Sequence, residues 1–137
     1  MSLSLAVVAL TGACARQGAP PGGPEDRRPP VLVTTRPDTY EIVERDLETV
    51  RFVFDERISE RPTRGTLDDA VLVSPRTGEV SVDHGRDGLE VFLAGGFEEG
   101  RVYRVTLLPV ISDLFGNTLR DPVELVFSTG PELVPSA

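Results

Sequence analysis

The amino-acid sequence predicts an all-β fold, an antiparallel β-sandwich of about seven strands. From Pro29 onward, short runs rich in aliphatic and β-branched residues alternate with turn residues, at the spacing of an antiparallel sandwich. No stretch shows a sustained helical period. The 137 residues leave room for one domain, since domains usually have roughly 100 to 150 residues.

Seven runs carry the β pattern, and turn residues separate them. They span residues 31–35, 49–55, 69–74, 78–82, 89–93, 102–110 and 123–128. The first run follows two prolines and ends in an Arg-Pro-Asp turn, and the third ends before Pro75. The second is the clearest, because Val50, Phe52 and Phe54 fall on one face of it, the pattern of a half-buried strand. These three side chains are therefore predicted core residues.

The last three runs also alternate. In the fifth, Leu89, Val91 and Leu93 share a face, and the strand is predicted to end before the glycines at positions 95 and 96. The sixth is the longest predicted strand. The seventh ends at a Ser-Thr-Gly-Pro turn. Seven strands over about 100 residues is the size of an Ig-like domain.

The N-terminus has the pattern of a targeting segment. Residues 3–10 form an uncharged apolar run that suits a signal peptide and is too short to span a bilayer, which needs about 20 residues. The run leads into Leu-Thr-Gly-Ala-Cys, which resembles a bacterial lipobox with Thr11 where Leu is usual. The resemblance implies that residues 1–13 are a lipoprotein signal peptide, and that Cys14 is lipidated and becomes the mature N-terminus.

The remaining boundaries follow from composition. Residues 14–29 are predicted to be a flexible spacer, because they are rich in Gly and Pro. Residues 30–130 are predicted to form the sandwich, and residues 131–137 a disordered tail or the start of a linker to a further domain. Ala15 is not Asp, and by the sorting preference of enterobacterial lipoproteins this implies the outer membrane.

Five segments occur in the order found in bacterial Ig-like domains of the S-layer protein (SbsA) type. They are Pro29-Pro30-Val31, Phe52-Val53-Phe54-Asp55-Glu56, Gly100-Arg101-Val102-Tyr103-Arg104-Val105, Ser112-Asp113-Leu114-Phe115-Gly116-Asn117 and Phe127-Ser128-Thr129-Gly130. The sequence therefore resembles this family on a bacterial lipoprotein. The resemblance implies a non-catalytic module of the cell envelope, held at a membrane by its lipid anchor, with a structural role or with envelope proteins as partners.

One aromatic residue resembles a known feature of Ig-like domains. Tyr103 lies near the start of the penultimate predicted strand. In the Ig tyrosine corner, a tyrosine at this place packs its ring in the core and hydrogen-bonds a nearby backbone group through its hydroxyl. The sequence has no Trp and a single Cys, so an antibody-type domain is not expected.

Composition excludes several classes of function. One Cys and one His, His84, cannot complete a zinc site. The 22 acidic residues outnumber the 14 basic residues, which gives a net charge of -8. The acidic residues are scattered along the chain, so a nucleic-acid partner is not expected. No catalytic residue, cofactor, metal or small-molecule substrate is predicted. Calcium is left open as a weaker alternative, for which the oxygen ligands would come from Asp55, Glu56, Asp113 and Asn117.

A glycan-binding module is the alternative function. Such a module would present exposed aromatic rings as stacking platforms. Phe52, Phe54, Tyr103 and Phe127 are expected to be internal. The rings left for the surface are Tyr40, Phe92, Phe97 and Phe115. An aligned exposed pair among these four would favour the glycan-binding alternative.

Overall fold

The computed structural model describes residues 24–131 and residue 133. Each of the seven predicted strands is present in that part of the chain. They are β1 (Leu32–Arg36), β2 (Leu47–Phe54), β3 (Val71–Ser74), β4 (Val80–His84), β5 (Gly88–Phe97), β6 (Val102–Leu107) and β7 (Val123–Ser128). A 3-10 turn, Asp68–Ala70, precedes β3. None of the described residues belongs to a helix long and apolar enough to cross a membrane.

The strands form two antiparallel sheets that pack face to face. One sheet has the order β1-β2-β5-β4 and the other the order β3-β6-β7. This is the order of constant-type Ig domains, in which strands A, B, E and D face strands C, F and G. The predicted Ig-like antiparallel sandwich is therefore confirmed.

The core lies between the sheets, which contribute alternate residues to it. In β2, Val50, Phe52 and Phe54 are buried and Arg51 is exposed, as the period-2 pattern predicts. From the opposite sheet, Phe127 is also fully buried. Removing each such side chain from water stabilises the fold by about 1.5–3 kcal/mol.

Tyr103 forms the predicted tyrosine corner. Its ring is fully buried and packs edge-on against Phe97, with ring centroids 5.0 Å apart. Its hydroxyl accepts a hydrogen bond from the backbone N–H of Glu98 at 2.8 Å, and lies 3.1 Å from the hydroxyl of Thr77. The phenol therefore anchors the β5–β6 connection to the core.

Strand β5 extends beyond its predicted end. The prediction ended it before Gly95 and Gly96, but it continues to Phe97. Both glycines have positive φ angles, 85° and 78°, which let the strand pass an irregularity and pair Phe97 with Leu47. Phe97, expected at the surface, is consequently buried at 6% exposure, and that expectation was wrong.

Two other strand boundaries differ from the prediction. Strand β6 ends at Leu107 and not at Val110, because Pro109 has no N–H to continue the ladder. The segment predicted to open β3 forms the 3-10 turn instead, where the amide of Ala70 donates to the carbonyls of Thr66 and Leu67 at 3.1 Å.

The outer edge of β7 is partly covered by the chain that follows β1. Residues 40–43 run parallel to β7, with an isolated bridge between Ile42 and Ser128. The amide of Tyr40 donates to Val126 O at 2.6 Å, and the amide of Val43 donates to Ser128 O at 2.8 Å. These bonds use backbone groups that an exposed edge would otherwise offer to another chain.

The outer edge of β4 is also occupied. The amide of Val82 donates to the carboxylate of Asp68 at 2.7 Å. The ring of His84 hydrogen-bonds the backbone carbonyl of Ile58. The Asp68 side chain thus satisfies a backbone donor of this edge strand, and the contact between His84 and Ile58 covers part of the strand.

Three segments meet at the end of the sandwich where the described chain begins, which we call the proximal end. They are residues 24–31, 55–67 and 108–122. The amide of Asp55 donates to Val31 O at 2.9 Å, and the amide of Ser59 donates to Ser112 O at 2.8 Å. The other end, which we call the distal end, is formed by residues 98–101 and 129–131.

Candidate functional site

A buried aspartate organises the proximal end. Asp113 is 1% exposed, and its Oδ1 accepts the amides of Phe115 at 2.8 Å and Asn117 at 2.9 Å. Its Oδ2 accepts the side-chain amide of Asn117 at 2.8 Å. Gly116 has a φ of 85°, which closes the tight loop around the carboxylate. The segment thus forms a tight turn that is built around one carboxylate.

Asn117 extends this network to the N-terminal segment. Its side-chain amide also donates to the backbone carbonyl of Asp26 at 3.0 Å. Its own carbonyl accepts the amide of Asp113 at 2.9 Å. Asn117 therefore joins the β6–β7 connection to the chain that leads into β1.

Three carboxylates converge here and form an acidic cluster, Asp26, Glu56 and Asp113. One carboxylate oxygen from each lies within 4.8 Å of the others. Asp26 and Glu56 are half-buried. At this spacing, three negative charges destabilise one another strongly, so the group that is easiest to protonate is expected to hold a proton.

Glu56 is that group. Its burial is the largest of the effects that raise its pKa from the ordinary 4.5 to about 7. The charges of Asp113, Asp26 and Asp55 act in the same direction. In its protonated form, Glu56 donates a hydrogen bond to the carboxylate of Asp113, which also favours the neutral acid. Near neutral pH, the cluster therefore gains or loses a proton.

The residues proposed for the calcium alternative are only partly united. Glu56, Asp113 and Asn117 come together, and Asp26 joins them. Asp55 instead accepts the amide of Val31 at 2.9 Å. Oxygen donors of this kind suit a hard cation in principle. However, both oxygens of Asp113 already accept hydrogen bonds from the chain, and these bonds account for its position without a metal.

Sequence reasoning missed Asp26. Asp26 falls within the predicted spacer, residues 14–29, and nothing nearby along the chain marks it as a partner of Asp113. Its contact to Asn117 joins residues 91 positions apart. Only the packing of the N-terminal segment against the β6–β7 connection brings these groups together.

An open groove of about 550 Å³ lies beside the cluster. Its walls carry both signs of charge, since Asp26, Asp55 and Glu56 line it together with Arg28 and Arg120. Pro29, Pro30 and Val31 add apolar surface. Both arginines are exposed. The groove is thus an open surface depression of mixed polarity, and it differs from the enclosed, mostly apolar cavity that small-molecule ligands usually occupy.

An apolar tip projects from the same end of the sandwich. Leu114 and Phe115, which we call the Leu-Phe tip, are 58% and 68% exposed. They lie inside the tight loop that Asp113 and Asn117 close. The hydrogen bonds therefore hold two large apolar side chains out in solvent.

The structure separates the aromatic rings proposed as a glycan platform. Tyr40 and Phe115 are exposed at 69% and 68%, Phe92 is half-buried and Phe97 is buried. Phe115 lies at the proximal end, whereas Tyr40 lies beside Val126 in the second half of β7. Among the described residues, these four do not supply the aligned exposed pair that glycan stacking requires.

The other predicted residues have structural contacts or fall outside the described chain. The His84 ring hydrogen-bonds the backbone carbonyl of Ile58. Cys14, the predicted signal peptide and most of the predicted spacer lie outside the described residues. The expectations attached to them stay predictions.

The strand order, the tyrosine corner and the filled core define an Ig-like β-sandwich of the seven-strand type. Residues 26–129 match the family model of the bacterial Ig-like domain, and the chain belongs to this family. The match begins at Asp26, the residue that Asn117 binds. A comparison with curated protein sequences returned no match.

Proposed function

We propose that this chain is a non-catalytic lipoprotein of the bacterial cell envelope, whose Ig-like domain serves as a structural or protein-interaction module. Cys14 carries the lipid anchor. The domain is of the S-layer protein type, and its partners are other envelope proteins. The lipobox-like segment supports the anchor, and membership of the bacterial Ig-like family supports the module.

The observation that carries this proposal is where the folded domain begins. Asn117 fixes Asp26 to the domain, and Cys14 lies 12 residues earlier (26 minus 14). Such a stretch spans at most about 43 Å even when fully extended, at about 3.6 Å per residue. A lipid on Cys14 would therefore hold the domain close to a membrane. Acyl chains anchor stably, because each buried CH₂ contributes about 0.8 kcal/mol.

The anchor is tested by metabolic labelling. The chain is expressed with its native N-terminus in a bacterial host, in the presence of a fatty-acid probe. We expect label on the wild type and none on Cys14→Ser. Ala15→Ser is the matched control, since it changes the neighbouring residue and keeps the thiol. Equal labelling of wild type and Cys14→Ser, or no labelling of either, contradicts the anchor.

A second variant tests the lipobox itself. Thr11→Leu places the residue that lipoboxes prefer three positions before Cys14. We expect this substitution to speed removal of residues 1–13, measured as the mass shift of the mature chain in a pulse–chase. A slower rate, or no change in a host that labels Cys14, would argue against cleavage at a lipobox.

The outer-membrane location rests on Ala15. The sorting preference that implies it predicts that Ala15→Asp retains the labelled protein in the inner membrane. Fractionation of the two membranes, with Ala15→Ser again as control, measures the distribution. If both variants distribute alike, the sorting signal lies elsewhere.

A further inference from the structure

The Leu-Phe tip is exposed and held in a fixed position. Phe115 is 68% and Leu114 58% exposed, although both are large apolar side chains. The Asp113 carboxylate binds the amide of Phe115 at 2.8 Å and so sets the path of the loop. The two side chains are adjacent and together form a small exposed apolar patch, and an exposed apolar patch can mark a site of membrane or protein contact.

The position of the tip suggests which phase that is. The tip belongs to the proximal end, where Asn117 also holds Asp26. Cys14 lies 12 residues before Asp26, so a bilayer that holds Cys14 stays within about 43 Å of this end, at about 3.6 Å per residue. Tethering keeps the local concentration of lipid high, and a small apolar contact then suffices for binding.

We propose that the Leu-Phe tip inserts into the surface of the bilayer that holds Cys14, so that the domain rests on the membrane by its proximal end. This inference rests on the proposed lipid anchor. It adds a second, non-covalent contact, formed by two side chains of the folded domain.

The surrounding charges specify the lipid surface. Asp26 clusters with Asp113, the residue immediately before the tip, and these carboxylates disfavour an anionic membrane. Arg28 and Arg120 are exposed along the adjoining groove, where they can bind the phosphates of headgroups. A zwitterionic surface such as phosphatidylcholine satisfies both requirements.

A fluorescence experiment can place the tip. The sequence contains no Trp, so one introduced indole reports its own position alone. Phe115→Trp places it at the tip, and Tyr40→Trp is the matched control, since Tyr40 is equally exposed and lies away from the proximal end. Each full-length variant is purified in lipidated form and reconstituted into phosphatidylcholine vesicles with brominated acyl chains.

Insertion predicts a specific difference between the two variants. Emission from position 115 should shift to the blue and fall by about two-fold or more, because interfacial insertion reaches roughly 5–10 Å and brings the ring near the bromine atoms. Emission from position 40 should stay unchanged. Equal quenching at both positions, or no quenching at position 115, overturns the inference and favours a protein as the partner of the tip.

Failure of the anchor and failure of the tip can be distinguished. If no fatty acid reaches Cys14 in the labelling experiment, the proposed function fails. The single thiol of the full chain is then coupled to a maleimide-bearing phospholipid in the same vesicles. Quenching at 115 and not at 40 still supports the bilayer contact, whereas its absence there contradicts the contact independently of the anchor.

Discussion

The side-chain amide of Asn117 donates a hydrogen bond to the backbone carbonyl of Asp26, 91 positions earlier in the chain. The same amide group binds Oδ2 of Asp113. One side chain thus connects the start of the domain to its last long connection. The bonds of Asn117 are therefore expected to contribute more to the stability of the proximal end than the exposed ion pairs do.

Asn117→Ala is expected to destabilise the domain by about 1–3 kcal/mol, because it leaves the buried carboxylate of Asp113 short of a donor. The free energy of unfolding from urea denaturation measures the effect. Thr39→Ala is the control, since Thr39 is exposed and its truncation should change stability by less than about 0.5 kcal/mol. Similar losses in both variants would show that Asn117 contributes no more than an ordinary surface residue.

The acidic cluster should make stability depend on pH. The pKa of Glu56 is raised to about 7 in the folded domain, against an ordinary 4.5. A carboxyl group whose pKa is raised on folding stabilises the fold below its unfolded pKa, and this contribution disappears as pH rises through the folded pKa. The free energy of unfolding should therefore fall between about pH 5 and pH 8.

Glu56→Gln tests this origin. The amide keeps a donor for Asp113 and cannot ionise, so the variant should lose most of the slope and exceed the wild type in stability at pH 8. Urea unfolding at a series of pH values gives both slopes. The control is Glu60→Gln, an exposed carboxylate on the same connection. A Glu56→Gln slope that matches the wild type would locate the titrating group elsewhere.

The tyrosine corner should contribute measurably through its hydroxyl. Tyr103→Phe keeps the buried ring and removes the acceptor of the Glu98 amide, so we expect a loss of about 1–2 kcal/mol in stability. Tyr40→Phe removes the same atom from an exposed ring and should be neutral. Thermal unfolding of the pair measures the difference, and indistinguishable melting temperatures would refute a special role for the Tyr103 hydroxyl.

Asp68 is expected to protect the edge of β4. Asp68→Ala frees the amide of Val82, which should cost about 1 kcal/mol and leave a backbone donor open to other chains. We expect self-association to increase, measured by sedimentation velocity over a range of concentrations. Asp83→Ala removes an exposed carboxylate from β4 itself and should leave the degree of self-association unchanged. Equal behaviour of the two variants would attribute any effect to lost charge.

Local patterns predicted the fold well, because the core of a sandwich depends on period-2 alternation. Val50, Phe52 and Phe54 are buried as the pattern indicates. The prediction failed at Phe97, because two consecutive glycines usually end a strand. Here their positive φ angles let β5 continue beyond a shift in its register with β2. It also missed Asp26, because a contact across 91 positions leaves no trace in local sequence. Strand interiors are thus encoded locally, whereas strand ends and the acidic cluster depend on tertiary packing.

The parallel pairing of residues 40–43 with β7 has a mechanical consequence. The described chain begins at the proximal end and passes the distal end after Ser128. Tension applied between these two ends pulls residues 40–43 and β7 in opposite directions along their common axis. The bonds at Tyr40 and Val43 are then loaded together in shear, and must break simultaneously, whereas a hairpin pulled from one side opens one bond at a time. The pairing of residues 40–43 with β7 is therefore expected to raise the force that is needed to unfold the domain by tension.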